Sequence, residues 1–331
     1  MSYRRNYLYH FIFTTFTKMI LEGAIVMRST GSWYLIRTKE GEEVEARIKG
    51  KFRMQGIKTT NPVAVGDLVD FTLEMDSTAV ITKIHPRKNY IIRKSVNLSK
   101  QAQIIACNID RALLVVTISN PVTQTGFIDR FLITAEAYHI PVTIVFNKVD
   151  IYSKKDQLKL DELIIAYSKM GYHCMDVSAE TGAGLQEIKK MLVDKTTMLS
   201  GHSGAGKSTL INKIDSNLEL KTGDISESHF KGKHTTTFAE MFELEFGGFI
   251  IDTPGIKGLG IVDIDKEEMS HYFLEMRALL PKCKFHNCQH LKEPSCAVKK
   301  AVETGSVEQF RYKNYLSMYH GDDENYRTVD Y

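Results

Sequence analysis

The chain has 331 residues, 43% of them hydrophobic and 25% charged, with a net charge of +3. That length can bury two or three cores, and so small an excess charge excludes a polycation that coats nucleic acid along its whole length. No apolar run approaches the roughly 18 to 20 residues of a membrane span. The five cysteines, three of them between 283 and 296, do not make a secreted disulfide framework, so a reducing cytoplasm is the expected location.

Residues 1–18 are aromatic-rich, with a short apolar patch at Phe11-Ile12-Phe13, but lack the long apolar core and cleavage site of a signal peptide. They read as a disordered extension, or as sequence upstream of a start near Met19. Residues 19–95 read as all-β. The runs 23–28, 33–38, 44–52, 67–74 and 79–85 are β-branched and aromatic and are separated by Gly, Asp, Asn and Pro. Five strands in this length predict a small Greek-key barrel of the OB type, a frequent oligonucleotide platform. From 19 to 100 there are fourteen Lys and Arg against nine Asp and Glu, whereas 101–265 carries sixteen against twenty-one. Positive charge and aromatics interleave around Lys51, Arg53, Arg87, Lys88, Arg93 and Lys94, which makes these six the candidate RNA contacts. The alternative is a solvated basic face that only packs on its neighbour.

Residues 96–265 alternate strand and helix. Apolar runs at 112–118, 142–146, 173–177, 196–199 and 249–252 are interleaved with amphipathic stretches at 127–139, 156–170, 184–193 and 207–214. That rhythm predicts a doubly wound, mostly parallel sheet, with 241–246 added as an antiparallel edge. Ligands of such sheets bind at the carboxyl ends of the strands.

Gly201-His202-Ser203-Gly204-Ala205-Gly206-Lys207-Ser208 matches G-x-x-x-x-G-K-[ST] between a strand and a helix that opens with Thr209. The glycines let backbone N–H groups converge on phosphate oxygens, Lys207 reaches the outer phosphates, and the Ser208 hydroxyl suits Mg²⁺. Asp252-Thr253-Pro254-Gly255 sets an acid at a strand end for the metal and a glycine to sense the terminal phosphate. Thr235, Thr236 and Thr237 are candidates to complete the metal shell, with Thr236 preferred beside Ser208 and Asp252. Asn147-Lys148-Val149-Asp150 resembles the guanine-reading N-K-x-D motif, in which the Asp150 carboxylate accepts from the ring N–H and the exocyclic amine. Ser178-Ala179 resembles the supporting base loop. The motif order is rearranged: base-reading segments precede the phosphate loop, so the nucleotide domain reads as a circularly permuted Ras-like G domain. Ile256 and Lys257 follow Gly255, so the usual water-positioning glutamine is missing, and His234 is the candidate to orient the water, with Lys207 as the other catalytic candidate.

Residues 266–331 read as helical at 266–280 and 297–319 around a metal knuckle. Cys283, Cys288, His290 and Cys296 offer three thiolates and an imidazole within fourteen positions, a closed set suited to one structural Zn²⁺. Cys107 and Cys174 lie in apolar strand-like segments and are expected in the core.

Permuted motif order, front barrel and rear knuckle together resemble the RsgA/YjeQ family, the bacterial ribosome small subunit-dependent GTPases. The resemblance covers roughly 20–319 and includes Pro86-Arg87-Lys88-Asn89, Ile128-Asp129-Arg130-Phe131, Asn147 to Asp150, Gly201 to Leu210, Gly232 to Thr237, Asp252 to Gly255 and the four metal ligands. Lys233 stands where that family more usually has arginine. The resemblance implies GTP and GDP as ligands with Mg²⁺, late maturation of the small ribosomal subunit as the process, and that subunit with its rRNA as partner and activator. A monomer without membrane contact is expected. The competing readings are a permuted GTPase of large-subunit assembly, an RNA-binding scaffold with a structural nucleotide, and a small-molecule phosphotransferase, the last disfavoured by Asn147 and Asp150.

Overall fold

The structure is a computed structural model, and it describes residues 20–48, 62–75, 77–94, 102–218, 220, 239–252 and 264–321. The first five strands are β1 (Ile20–Ser29), β2 (Tyr34–Arg37), β3 (Glu43–Ile48), β4 (Leu68–Leu73) and β5 (Ala79–Ile84). They pair in the order β1-β2-β3-β5-β4, and β4 returns to β1, so the sheet closes on itself into an OB-like barrel. Alternation decides the inside: Tyr34 and Ile36 are buried while Leu35 and Arg37 are only partly so. Ala24, Val26, Ala46, Val63, Val69, Phe71, Ala79 and Ile81 share that core. Register shifts between Leu21 and Ala24 and between Val26 and Arg28 bend β1 so that one strand serves both sides of the closure.

Strands β6 (Tyr90–Lys94) and β7 (Ala102–Cys107) form a separate antiparallel ribbon. The sequence reading sees an apolar strand-like segment around Cys107 but no separate ribbon, because those residues run almost without a break into the apolar run of the next strand. Cys107 is fully buried there, as expected, and Cys174 is half-buried. The Cys107 N–H of the ribbon donates to the Val65 carbonyl at 2.9 Å, and the segment leading from β5 into the ribbon is pinned by Arg87, whose guanidinium donates to both carboxylate oxygens of Asp67 at 2.7 and 2.6 Å and to the Pro62 carbonyl at 2.8 Å.

The next elements are β8 (Arg111–Val116), α1 (Thr125–Ala137), β9 (Val142–Phe146), α2 (Lys154–Lys169), β10 (His173–Asp176), α3 (Leu185–Leu192), β11 (Thr196–Ser200), α4 (Lys207–Ile214), β12 (Glu240–Glu243) and β13 (Phe249–Asp252). Their order across the sheet is β10-β9-β8-β11-β13-β12, with every neighbour parallel except β12. β8 is buried on both faces: Ala112, Leu114 and Val116 feed one core, Leu113 and Val115 the other. Strand order reverses between β8 and β11, so the crevice at their carboxyl ends is the place where such a sheet holds a ligand. At the far edge, Arg28 of β1 pairs with Glu240 of β12, so the barrel covers an edge that would otherwise be open.

The last described helices are α5 (Leu274–Leu279), α6 (Ala297–Glu303) and α7 (Gln309–His320), with short 3₁₀ turns at Met269–Tyr272 and Leu280–Lys282. The two helices expected at 266–280 and 297–319 are each broken. Phe273 is extended, and the segment between Thr304 and Glu308 turns the chain before α7.

The C-terminal module is fastened to helix α1 by a buried charge cluster. Arg311 of α7 is fully buried and pairs with Asp129 of α1 at 2.7 Å and with Glu275 of α5 at 2.8 Å. Asn314 and the Tyr167 hydroxyl donate to the same Asp129 carboxylate at 2.5 and 2.8 Å. Burial works against charge on Arg311, but the two carboxylates more than offset it and hold the guanidinium protonated. Replacing Arg311 by Met would leave the fully buried Asp129 carboxylate and the largely buried Glu275 carboxylate without their cation, and a loss of about 3–5 kcal/mol is expected. Urea unfolding should show that loss for R311M, and D129N in the same chain should restore part of it; equal stability of R311M and wild type would contradict this account.

Candidate nucleotide site and metal centre

Between the end of β11 and the start of α4 the chain makes the tight loop 201–206. Gly201 (φ 144°) leaves the strand so close to β8 that a Cβ there would sit 2.1 Å from the Val115 carbonyl oxygen. Gly206 (φ 90°) approaches the base loop, and a Cβ there would sit 2.4 Å from the Asn147 amide nitrogen. Backbone N–H groups of such a loop can converge at the N-terminus of α4, which suits phosphate. Lys207 folds back and donates to the Gly201 and His202 carbonyls at 2.9 and 2.8 Å, which puts its charge at the mouth of the loop. Ser203 and Gly204 are exposed, Ala205 is buried beneath them, and Ser208 and Thr209 are half-buried at the helix start.

Asn147 draws three loops together. It is buried at the end of β9, donates from its side-chain amide to the Ala205 carbonyl at 2.9 Å, and accepts from the Ala179 N–H at 3.1 Å. Ser178 donates its hydroxyl to Asp150 at 2.5 Å and accepts the Thr181 N–H at 3.0 Å. Asp150 lies exposed in the turn Val149–Ile151, with its carboxylate near the second base loop. Lys148 adopts a left-handed conformation (φ 68°) that sends its amine to the Asn120 carbonyl at 2.6 Å. Asp252 ends β13 in register with Leu199, two residues before the phosphate loop begins. The glycine cradle, the lysine at its mouth and the convergent base loops therefore fit a nucleotide. His234, Thr235, Thr236, Thr237 and Gly255 lie outside the described residues.

Several residues at this site carry no signal that sequence reasoning caught. The loop 117–124 after β8 borders both the base loop, through Asn120, and the phosphate loop, where Pro121 approaches Gly204. Phe127 of α1 stacks on His202 with ring centroids 3.8 Å apart. The Tyr152 hydroxyl donates to the Asn147 carbonyl at 2.6 Å and accepts the Ile118 N–H at 2.9 Å. Only the tertiary arrangement reveals these contacts, because none belongs to a local pattern.

Of the six basic residues singled out on the front module, Arg87 is corrected. Its side chain is 5% exposed and committed to Asp67, so it does not face solvent as a phosphate contact would. Lys88 is exposed and pairs with Asp110 at 2.7 Å. Arg93 and Lys94 end the strand β6, opposite Gln103 and Ala102; their side chains, like Lys51 and Arg53, lie outside the described residues.

The four metal candidates come together. One ligand atom each from Cys283, Cys288, His290 and Cys296 lies within 4.8 Å of the others. His290 Nδ1 is 3.7 Å from the Cys283 sulfur and 3.3 Å from the Cys296 sulfur. Tetrahedral zinc with bonds of about 2.0 to 2.3 Å needs ligand separations of about 3.5 to 3.8 Å, so the cluster needs little adjustment. The His290 segment is clamped: the Glu293 carboxylate accepts the N–H groups of Gln289 and Leu291, both at 2.7 Å, while the Tyr312 and Tyr315 hydroxyls donate to the His290 and Gln289 carbonyls at 2.6 and 2.7 Å. No helix among the described residues is long and apolar enough to cross a membrane.

Comparison with known proteins bears on the same residues. The RsgA GTPase family profile matches residues 84–262, and the RsgA N-terminal domain profile matches 22–81. A small ribosomal subunit biogenesis GTPase RsgA of Flavobacterium psychrophilum is 55% identical over 313 residues, covering 93% of this chain and 95% of that protein. Its namesake in Bacteroides fragilis is 53% identical over 306 residues, covering 92% and 99%. The crystal structure of YjeQ from Thermotoga maritima superposes with a TM-score of 0.75 at 36% identity, covering 92% of this chain and 98% of that one. YloQ, described as a circularly permuted GTPase, superposes with a TM-score of 0.70 at 28% identity, covering 95% and 98%. The similarity therefore runs along nearly the whole length of the chain, and the chain belongs to the RsgA GTPase family.

Proposed function

We propose that this protein binds the small ribosomal subunit late in its assembly, hydrolyses GTP there and leaves in the GDP form. The observation that carries the nucleotide half of this reading is Asn147, one side chain bonded to both the phosphate loop and the second base loop. Asp150 would select guanine by accepting from its ring N–H and exocyclic amine, with Lys148 and Val149 shaping the loop around it. Gly201 to Thr209 would wrap the phosphates, Lys207 would neutralise charge that develops on the outer phosphates, and Gly255 would contact the terminal one. Ser208, Asp252 and Thr236 are the residues to hold Mg²⁺, which when bound supplies further positive charge beside the phosphate oxygens. The subunit half rests on the relatives named above and on the excess of Lys and Arg over residues 19–100, with Lys51, Arg53, Lys88, Arg93 and Lys94 as the proposed rRNA contacts. The protein acts as a cytoplasmic monomer in this reading.

The deciding experiment is GTP turnover by the full chain with purified small or large subunits. Stimulation by the small subunit alone is expected; equal stimulation by both, or ATP used as readily as GTP, would overturn the reading. His234 is proposed to orient the attacking water. H234A should lower small-subunit-stimulated turnover by about 10²- to 10⁴-fold, the range seen for positioned catalytic groups, while GDP affinity stays as in wild type. Unchanged stimulated turnover would remove His234 from the mechanism.

The Cys283, Cys288, His290 and Cys296 set is proposed to hold one structural zinc ion. The ion would tie a loop with little apolar core of its own onto α6 and α7.

A further inference from the structure

We infer that the Tyr152 hydroxyl is a positioning group for guanine recognition: it closes the base loop into a ring and anchors that ring to the end of β8. The inference rests on the guanine reading of Asn147 and Asp150 given above.

The geometry runs as a closed circuit. β9 delivers Asn147, the backbone turns through Lys148 and the short helix Val149–Ile151, and Tyr152 then sends its hydroxyl back to the Asn147 carbonyl at 2.6 Å. Asp150 is therefore held inside a ring of six residues with a hydrogen bond as its clasp. The same oxygen accepts the Ile118 N–H at 2.9 Å, and Ile118 is buried where β8 gives way to the loop 117–124. A third link ties the ring to the second base loop, because the Val149 N–H donates to the Val177 carbonyl at 3.2 Å.

Two features hold the phenol where this circuit needs it. Its ring packs against the apolar core that includes Ile118 and Phe146. On the other side, Ser153 and Asp156 form a reciprocal capping box that starts α2, so the backbone leaves Tyr152 in a fixed direction. Burial pushes the hydroxyl up to about 12, so it remains a proton donor to the Asn147 carbonyl throughout the physiological range. The N-K-x-D pattern ends at Asp150 and does not reach position 152. The Asp150 carboxylate already accepts the Ser178 hydroxyl, and fixing the turn that carries it removes a further ordering cost from nucleotide binding.

Tyr152→Phe tests the assignment, since it keeps the ring and removes only the clasp. Affinities of the full chain for GDP, IDP and ADP are measured by displacement of a fluorescent guanine nucleotide. IDP lacks the exocyclic amine that Asp150 accepts from, so it reports the same site without that contact. The variant is expected to bind GDP about tenfold more weakly, the worth of about one well-made buried hydrogen bond, and to lose most of its preference for GDP over IDP. In turnover the loss should appear in KM for GTP. Equal weakening of GDP and IDP would mean a general loosening of the fold and would overturn the assignment, as would affinities identical to wild type. Wild type with no preference for GDP over IDP and ADP would instead sink the guanine reading itself. A second measurement needs no variant: amide exchange at Ile118 in the wild-type chain should slow when GDP is added, and an unchanged rate overturns the assignment.

Discussion

Gly206→Ala is expected to lower affinity for GDP and GTP by about 10²- to 10³-fold while leaving the barrel and the C-terminal module folded. The backbone at 206 is left-handed (φ 90°), a conformation that costs an alanine about 1–2 kcal/mol. The added methyl would meet the Asn147 amide nitrogen at 2.4 Å, and that side chain is buried, short and bonded at both ends, so it cannot swing aside. Displacing it would sacrifice two buried hydrogen bonds at about 1–3 kcal/mol each, and a total near 4 kcal/mol corresponds to about 10³ in affinity. Gly204→Ala is the informative control. It shares the left-handed backbone (φ 76°), but its nearest neighbour would be Pro121 at 3.4 Å, so it carries the conformational cost alone. Fluorescent-nucleotide titration of both variants separates the two terms. If G206A binds as tightly as G204A, the bridge through Asn147 does not hold the site together.

The second large effect concerns the metal centre. Cys288→Ser is expected to abolish tight zinc binding and to strip amide protection from residues 283–303, because apparent zinc binding of order 10 kcal/mol would be the main support of that loop. Burial pushes the Cys288 thiol well above its ordinary range, so without a cation it stays a neutral thiol. Helix α7 should respond less, since Arg311 and Asn314 fasten it to α1 independently of the metal. Zinc content by elemental analysis and exchange by mass spectrometry read both halves of this expectation. One zinc per wild-type chain with full protection of 283–303 in C288S would show that the loop folds without its ion.

The two effects bear on how the domains communicate. Helix α1 touches the phosphate loop through Phe127 and His202, and it touches the C-terminal module through Thr125, Asp129, Arg311 and Asn314. Both contacts fall within its first two turns. The barrel reaches the same sheet at the opposite edge, through Arg28 and Glu240. A guanine nucleotide held at the carboxyl ends of β9 and β11 would thus sit between two modules that are each joined to the sheet by specific pairs.

What the amino-acid order determined by itself was whatever is encoded within a few neighbouring positions. Gly201 to Ser208 must turn tightly because its glycines and lysine are spaced for it. Alternating runs such as Tyr34 to Arg37 declare a half-buried strand, the all-apolar run of β8 declares a central one, and three cysteines and a histidine within fourteen residues declare a metal loop. The permuted order of the motifs was legible for the same reason. Tertiary structure alone decided the roles of side chains whose partners are distant along the chain. Arg87 looks like its basic neighbours until Asp67, 20 residues away, takes it inside the fold. Asp129 becomes the seat of a module 185 residues further on, where Asn314 meets it. Tyr152 is one tyrosine among fifteen until Ile118 and Asn147 converge on its hydroxyl. A charge or hydroxyl has the same local propensity whether it faces water or a buried partner, and only the packed chain supplies the desolvation and the partner that settle which role it takes.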